Sequence, residues 1–405
     1  MDFRGFEDLK PNKFRKAYED VKRVGGFLNS HKLGVFLVSL SGGVAFLYHN
    51  ITQSHKKSLI QFAKERVETY FNATQNLCNR ETESIFIKFI DERKFLEKIE
   101  TPSIASIRQQ KDPQEKQKLT DQLKVSIITK LFSVLYVIPL IIVLNRLQIN
   151  LIGKYCYLDY ILYKDQDVSK NRYINQKTEE NFISSKDHCY FFDNKFSQFI
   201  NLIQEQIKVS LKDWKIDQQS SFEGILKLLI NIRGNFEKKE ILTSTTSDKS
   251  LLYYLIPSEE EFNEILKTHK TPENDNDIQY EYLAMLYNET RNIFESQKFY
   301  EMFKECINET FLEFTQSLRA DFESPELKNK IDQIVLPDLP IEMEIPKPLA
   351  TMHNIVLLPK INKQITNILA KRTLIVDKLS TFSSIKKLNY SILTNDLDFN
   401  KLQFN

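Results

Sequence analysis

The chain reads as all-α, a helical domain over residues 54–394 carried on an N-terminal membrane helix. Three observations predict this. Glycine is scarce, with nine in 405 residues, six of them in the first 43 and none in the last 171. Apolar side chains recur at intervals of three and four along most of the chain. One early segment, Leu33 to Tyr48, carries no charge over sixteen residues. Phosphate-cradling loops, dinucleotide fingerprints and tight β-hairpins need positions that tolerate positive φ or close backbone approach, so so little glycine largely excludes them. Charge is balanced, 56 Lys and Arg against 54 Asp and Glu, without the basic excess of a nucleic-acid binder.

Residues 1–32 form a segment of mixed charge with no assigned fold. Leu33–Tyr48 would span about 24 Å as a helix, against a hydrocarbon core of about 30 Å. Lys32 and His49 can snorkel from its ends, so residues 33–49 are expected to be a transmembrane anchor. A cleaved secretory signal would start nearer residue 1, and a soluble amphipathic helix would carry a polar stripe. Basic residues flank the segment on both sides, Lys32 before and Lys56 and Lys57 after, so charge leaves its orientation open.

From Ser54 to Lys98, Leu59, Ile60, Phe62, Val67, Tyr70 and Phe71 fall at helical spacing. Thr101 to Pro113 is a polar interruption. Leu131–Leu144 is the most apolar run, yet Lys130 and then Asn145 and Arg146 hold it to fourteen residues, short for a span. A helix apolar on all faces belongs either in a membrane or at the centre of a large bundle, and at this length the bundle centre is expected. Pro139 inside it should kink the helix or mark a break.

Residues 164–180 form a charged loop. Phe196, Phe199, Ile200, Ile203 and Ile207 then define an amphipathic helix, and Phe222, Ile225, Leu229 and Ile232 another. Thr243–Ser250 is a Ser/Thr linker. Tyr280–Thr290 is helical, as is Phe299–Leu318, built on Phe303, Ile307, Phe311, Phe314 and Leu318. Prolines 325, 337, 340, 346 and 348 mark an irregular crossing before a last helix on Ile361, Ile365, Ile368, Leu369, Val376 and Leu379. Residues 395–405 are expected to be a flexible tail.

The chemistry-bearing motifs are absent. HExxH, GxSxG, GKS/GKT and EF-hand loops do not occur. His188-Cys189 is the only adjacent His/Cys pair and lacks a third orienting group. Ser258-Glu259-Glu260-Glu261 has the spacing of a capping box, which is a helix start rather than a metal site. Trp214, the lone tryptophan, reads as a surface-to-core anchor beside Leu211. Four scattered cysteines form no ligand set, and reduced thiols fit them best. No enzyme, metal, cofactor or small-molecule substrate is expected.

Leu144-Asn-Arg-Leu-Gln-Ile-Asn-Leu-Ile-Gly-Lys-Tyr-Cys-Tyr-Leu-Asp159 resembles the signature of the peroxin three family of peroxisomal membrane docking factors. Leu286-Tyr-Asn-Glu-Thr-Arg-Asn-Ile-Phe-Glu-Ser296 is similar to a second family motif, followed by Phe299, Cys306, Asn308 and Phe311 at the family's spacing. Phe71-Asn-Ala-Thr-Gln-Asn-Leu-Cys-Asn79 resembles a third, and Pro348-Leu-Ala350 a fourth. Within these motifs, Gln148, Asn150 and Asp159, and likewise Asn288, Glu289 and Arg291, read as internal hydrogen-bonding groups rather than partner contacts.

The resemblance implies a twisted helical bundle facing the cytosol on a peroxisomal membrane anchor, with residues 1–32 on the inner side. It implies docking of peroxin nineteen, the soluble chaperone of peroxisomal membrane proteins, through an amphipathic helix laid in a groove. Carried over by position, the groove takes Ile104, Ile107, Lys116, Leu123 and Lys124. Two positions depart from the family: its groove tryptophan falls on Thr120, and the lysine after Pro-Leu-Ala falls on Thr351. Leu119 stands ready as a substitute, and Leu119 and Leu123 are the expected anchors. A surface tether for inheritance or autophagy adaptors is the alternative reading, and a membrane-tethered enzyme a weaker one.

Overall fold

The computed structural model describes residues 61, 64–92, 94–162, 182, 190–237, 251–258, 260–262, 264, 277–323 and 351–394. The proposed anchor, His188-Cys189, the linker at 243–250, the proline-rich crossing and the tail lie outside the described residues. The chain divides into two compact units, residues 1–71 with 396–405, and residues 72–395. In the first, residues 64–71 are helical, and Thr69 Oγ1 donates to the carbonyl of Glu65 at 2.8 Å.

The second unit is an all-helical bundle. Residues 72–86 are helical (α1), followed by a π-helical turn Ile87–Glu92 and a 3-10 turn Phe95–Lys98. Then come α2 (Ile104–Gln109), α3 (Pro113–Leu162), a π-helical turn Phe191–Lys195 and α4 (Phe196–Ser210). Strand β1 (Gln219–Ser220), α5 (Phe222–Phe236), α6 (Leu251–Leu255), α7 (Asp277–Phe294) and α8 (Gln297–Phe322) follow. Strand β2 (Met352–His353), α9 (Asn354–Ala370), α10 (Arg372–Ser380) and α11 (Ser383–Thr394) complete the described unit.

The axis of the bundle is α3, 50 residues long, or about 75 Å at the helical rise. It starts where the sequence stops it from starting earlier. Asp112 caps it by accepting from the Gln114 N–H at 3.0 Å, and Pro113 takes the first position, where a missing N–H costs nothing. Helices α4, α8, α9 and α11 pack around it. Of its most apolar eighteen residues, 94% are buried within the chain, so the run Leu131–Leu144 is bundle interior and its hydrophobicity is spent on protein.

Of the two outcomes expected at Pro139, a break does not occur: α3 runs continuously through it. Pro139 has no N–H to offer the carbonyl of Leu135, four residues back. Thr310 of α8 supplies the missing donor, with its hydroxyl 2.9 Å from that oxygen.

The surrounding helices are amphipathic for the reasons read in their sequence. On α8, Phe299, Phe303, Ile307, Phe311, Phe314 and Leu318 are all buried. On α4, Phe196, Phe199, Ile200, Ile203 and Ile207 are likewise buried. Each such side chain contributes about 1.5–3 kcal/mol on leaving water. Phe311 meets Phe132 edge-on at 5.5 Å, joining α8 to the axis. Serines cap α5 and α8: Ser221 Oγ accepts from Gly224 at 3.1 Å and Ser296 Oγ from Phe299 at 3.2 Å. The one sheet among the described residues is a two-residue antiparallel bridge, Gln219 against His353 and Ser220 against Met352. Periodicity did not signal it, because two residues are too few to alternate.

A candidate docking surface at the head of the central helix

The segment singled out for partner binding enters the bundle gradually. In α2, capped by Ser103 accepting from the Ser106 N–H at 2.9 Å, Ile104 is 39% exposed while Ile107 turns inward. Along α3, Lys116, Thr120 and Lys124 recur at every fourth residue and so lie on one stripe. Lys116 is exposed, Thr120 half-buried and Lys124 buried. Leu119 and Leu123 repeat the gradient one step over: Leu119 is half-buried against the core and Leu123 is fully inside. The accessible part is therefore Ile104, Lys116, Leu119 and Thr120, with Ile107 and Leu123 as the floor beneath.

Thr120 does not replace an aromatic side chain. Its hydroxyl donates to the carbonyl of Lys116 at 2.7 Å, which leaves a small methyl-bearing surface at that position.

Thr351 is linked to Lys124 through the loop that follows α4. After α4 the chain turns through residues 211–218. Lys124 Nζ lies 3.3 Å from the carbonyl of Leu211 and 3.1 Å from that of Trp214. The far side of this loop is stitched to the start of α9. The Asn354 side chain donates to the Lys215 carbonyl at 2.6 Å, the Asn354 N–H to Gln218 at 2.9 Å, and the Ile355 N–H to Ile216 at 3.1 Å. Thr351 Oγ1 in turn donates to the Gln219 side chain at 3.0 Å, and that side chain's amide meets His353 Nε2 at 3.0 Å. Lys124 and Thr351, 227 residues apart, are thus joined by one hydrogen-bonded loop. Ile355 and Val356, 52% and 49% exposed, extend an apolar surface beyond it. Only the lone tryptophan hinted at this loop from sequence, since its fixing groups are mostly backbone carbonyls.

A second cluster occupies the other half of α3. The buried Arg146 guanidinium donates to Gln75 at 2.9 Å and to Asn79, both on α1. Gln75 donates to Asn150 at 3.0 Å and accepts from Asn389 of α11 at 2.9 Å. Asn145 donates to the Cys78 carbonyl at 3.1 Å and to Thr82 at 2.8 Å. Burial pushes the Cys78 thiol up to about 12, so it is protonated and unreactive. One turn beyond Asn150, Lys154 and Tyr155 both donate to Glu289 of α7, at 2.5 and 2.6 Å. Gln148 donates to the Phe182 carbonyl at 2.7 Å. The motif on α3 therefore meets the Phe71–Asn79 motif through Gln75 and Asn79, and the Leu286–Ser296 motif through Glu289, in separate internal polar clusters. Their groups face one another across helices, which fixes helix register and offers nothing to a ligand. Gly153 is buried within this stretch of α3, which continues past it to Leu162.

Comparison with known proteins agrees with the motifs. Residues 50–395 match the family model described as Peroxin-3. The chain is 70% identical over 400 residues to the peroxisome biogenesis factor 3 of Dictyostelium discoideum, covering 98% of this chain and 99% of the relative. It is 23% identical over 336 residues to the peroxisomal biogenesis factor 3 of Homo sapiens, covering 78% and 86%. To the peroxisome biogenesis protein 3-2 of Arabidopsis thaliana it is 21% identical over 312 residues, covering 72% and 82%.

Proposed function

The chain belongs to the Peroxin-3 family, and from that premise we propose that it docks the soluble chaperone peroxin nineteen at the head of its central helix. The family is one of peroxisome biogenesis factors and not of enzymes; the protein acts in peroxisome biogenesis at the peroxisome. Docking would deliver newly made membrane proteins carried by the chaperone. In this reading residues 33–49 anchor the chain, residues 1–32 lie on the inner side and residues 54–394 face the cytosol.

The observation that supports the docking reading is that Ile104, Lys116, Leu119 and Thr120 keep accessible surface at the head of α3, one turn before Lys124 meets the 211–218 loop. Apolar side chains at the mouth and lysine at the edge suit an amphipathic helix. This surface also stands clear of the internal polar clusters. Gln75 bonds Asn150, about 45 Å along α3 from Leu119.

The test is direct binding. The full chain in detergent should retain purified peroxin nineteen with no nucleotide or metal added, and Leu119→Asp should abolish the complex. Retention of full affinity by Leu119→Asp would move the docking site elsewhere.

A further inference from the structure

Resting on the docking reading, we infer that Lys124 is a positioning residue that builds the docking surface, and that it makes no contact with the docked partner. The ammonium group carries three hydrogens. Three acceptors surround it: Asp121 Oδ1 at 2.8 Å, the Trp214 carbonyl at 3.1 Å and the Leu211 carbonyl at 3.3 Å. Every donor is engaged inside the chain, and the residue is only 8% exposed. A lysine in that state has neither a hydrogen nor surface to give a ligand.

What it holds is the loop. Residues 211–218 contain no regular element, and in the first half of the loop the carbonyls of Leu211 and Trp214 point at Lys124. In the second half, Lys215, Ile216 and Gln218 offer their carbonyls to Asn354 and Ile355. The loop is therefore a strap with one end on α3 and the other on α9. Among the described residues, Lys124 fastens it to α3 by two side-chain hydrogen bonds. Trp214, half-buried against the core, rides on the strap one residue before those second-half bonds. Releasing Lys124 frees the wall of the docking surface while leaving the rim residues on α2 and α3 in place.

The direct-contact and positioning roles differ in the unbound chain. Lys124→Met keeps the apolar stem and removes the ammonium; Lys124→Gln restores a donor without charge. Three readouts are taken on the full chain in detergent: amide exchange over residues 209–218 in the free protein, Trp214 emission, and affinity for purified peroxin nineteen across a salt series. Positioning predicts faster exchange and shifted emission in the free Met variant. It also predicts affinity weakened about tenfold, an unchanged salt dependence and partial recovery of all three in the Gln variant. The inference is overturned if free-chain exchange is unchanged in Lys124→Met, or if its loss of affinity comes with a shallower salt dependence shared equally by the Gln variant. If the unmodified chain fails to retain the chaperone, the docking reading falls, while exchange and emission still decide whether Lys124 holds the strap.

Discussion

The hydroxyl of Thr310 lies 2.9 Å from the carbonyl oxygen of Leu135, the acceptor that Pro139 leaves without its helical donor. Thr310 is 1% exposed and Leu135 is fully buried, so water cannot take its place. A neighbouring helix has thus repaired the break that proline makes in the central one. The hydroxyl also lies 2.9 Å from Ile307 O of its own helix, so the repair shares one hydrogen between two oxygens.

Thr310→Val should cost about 1–3 kcal/mol, the penalty of an unpaired buried acceptor. The Pro139→Ala background restores an N–H to Leu135, so there the same change should cost clearly less. Denaturant unfolding of the four proteins in a double-mutant cycle reads the coupling. Additive effects would mean that Thr310 does not serve Leu135.

Glu289 is the acceptor for Lys154, whose side chain is 2% exposed, and for the Tyr155 hydroxyl. Removing that carboxylate takes a shared acceptor from a buried ammonium and a buried hydroxyl together, which costs far more than the pair contributes. Glu289→Ala should destabilise by about 3–5 kcal/mol, and the double change Lys154→Met with Glu289→Leu by much less. Equal losses in the two proteins, measured by urea unfolding, would contradict the assignment.

How much of this could be read from the sequence depends on what fixed each feature. The helices followed from period and volume: the Phe303–Leu318 stripe and the inward run Leu131–Leu144 needed no structure to place. The capping box at Ser258 was equally local, and it forms as spaced, with Ser258 N–H to Glu261 at 2.9 Å and Glu261 N–H to Ser258 Oγ at 3.2 Å. What escaped was set by contacts distant in sequence. Continuity at Pro139 depends on Thr310, and the inward turn of Lys124 depends on carbonyls nearly ninety residues away. A backbone carbonyl carries no residue identity, so no motif could announce the strap at 211–218. Position along α3 was all that marked Lys124 in the sequence; its three acceptors appear only in the fold.

Glu261 illustrates how the capping box titrates. Burial alone would push its carboxyl up, but hydrogen bonds from Lys195, Tyr190 and the Ser258 N–H outweigh that and hold it at about 2, below its ordinary 4.5. A carboxyl held low in the fold stabilises it fully above pH 4.5 and loses that contribution as pH falls towards 2. Stability of the unmodified chain should therefore fall across that window, and Glu261→Gln should flatten this part of the profile. Parallel curves for the two proteins between pH 5 and about 2.5 would rule the linkage out.

Leu119 and Leu123 look equivalent in sequence, one helical turn apart on the same face, and the structure separates them. Leu119 is half-buried at the rim, whereas Leu123 is 6% exposed and belongs to the core. Truncating Leu123 leaves a cavity, so Leu123→Ala should cost about 2–5 kcal/mol of stability and weaken chaperone binding only as far as the fold loosens. Leu119→Ala should cost less stability and more affinity, because its remaining surface is what a partner would cover. Thermal unfolding and binding measured on both variants make a two-by-two comparison. If Leu123→Ala leaves stability intact while cutting affinity more than Leu119→Ala does, the helix is turned differently at its head from the arrangement described, and the groove must be rebuilt around Leu123.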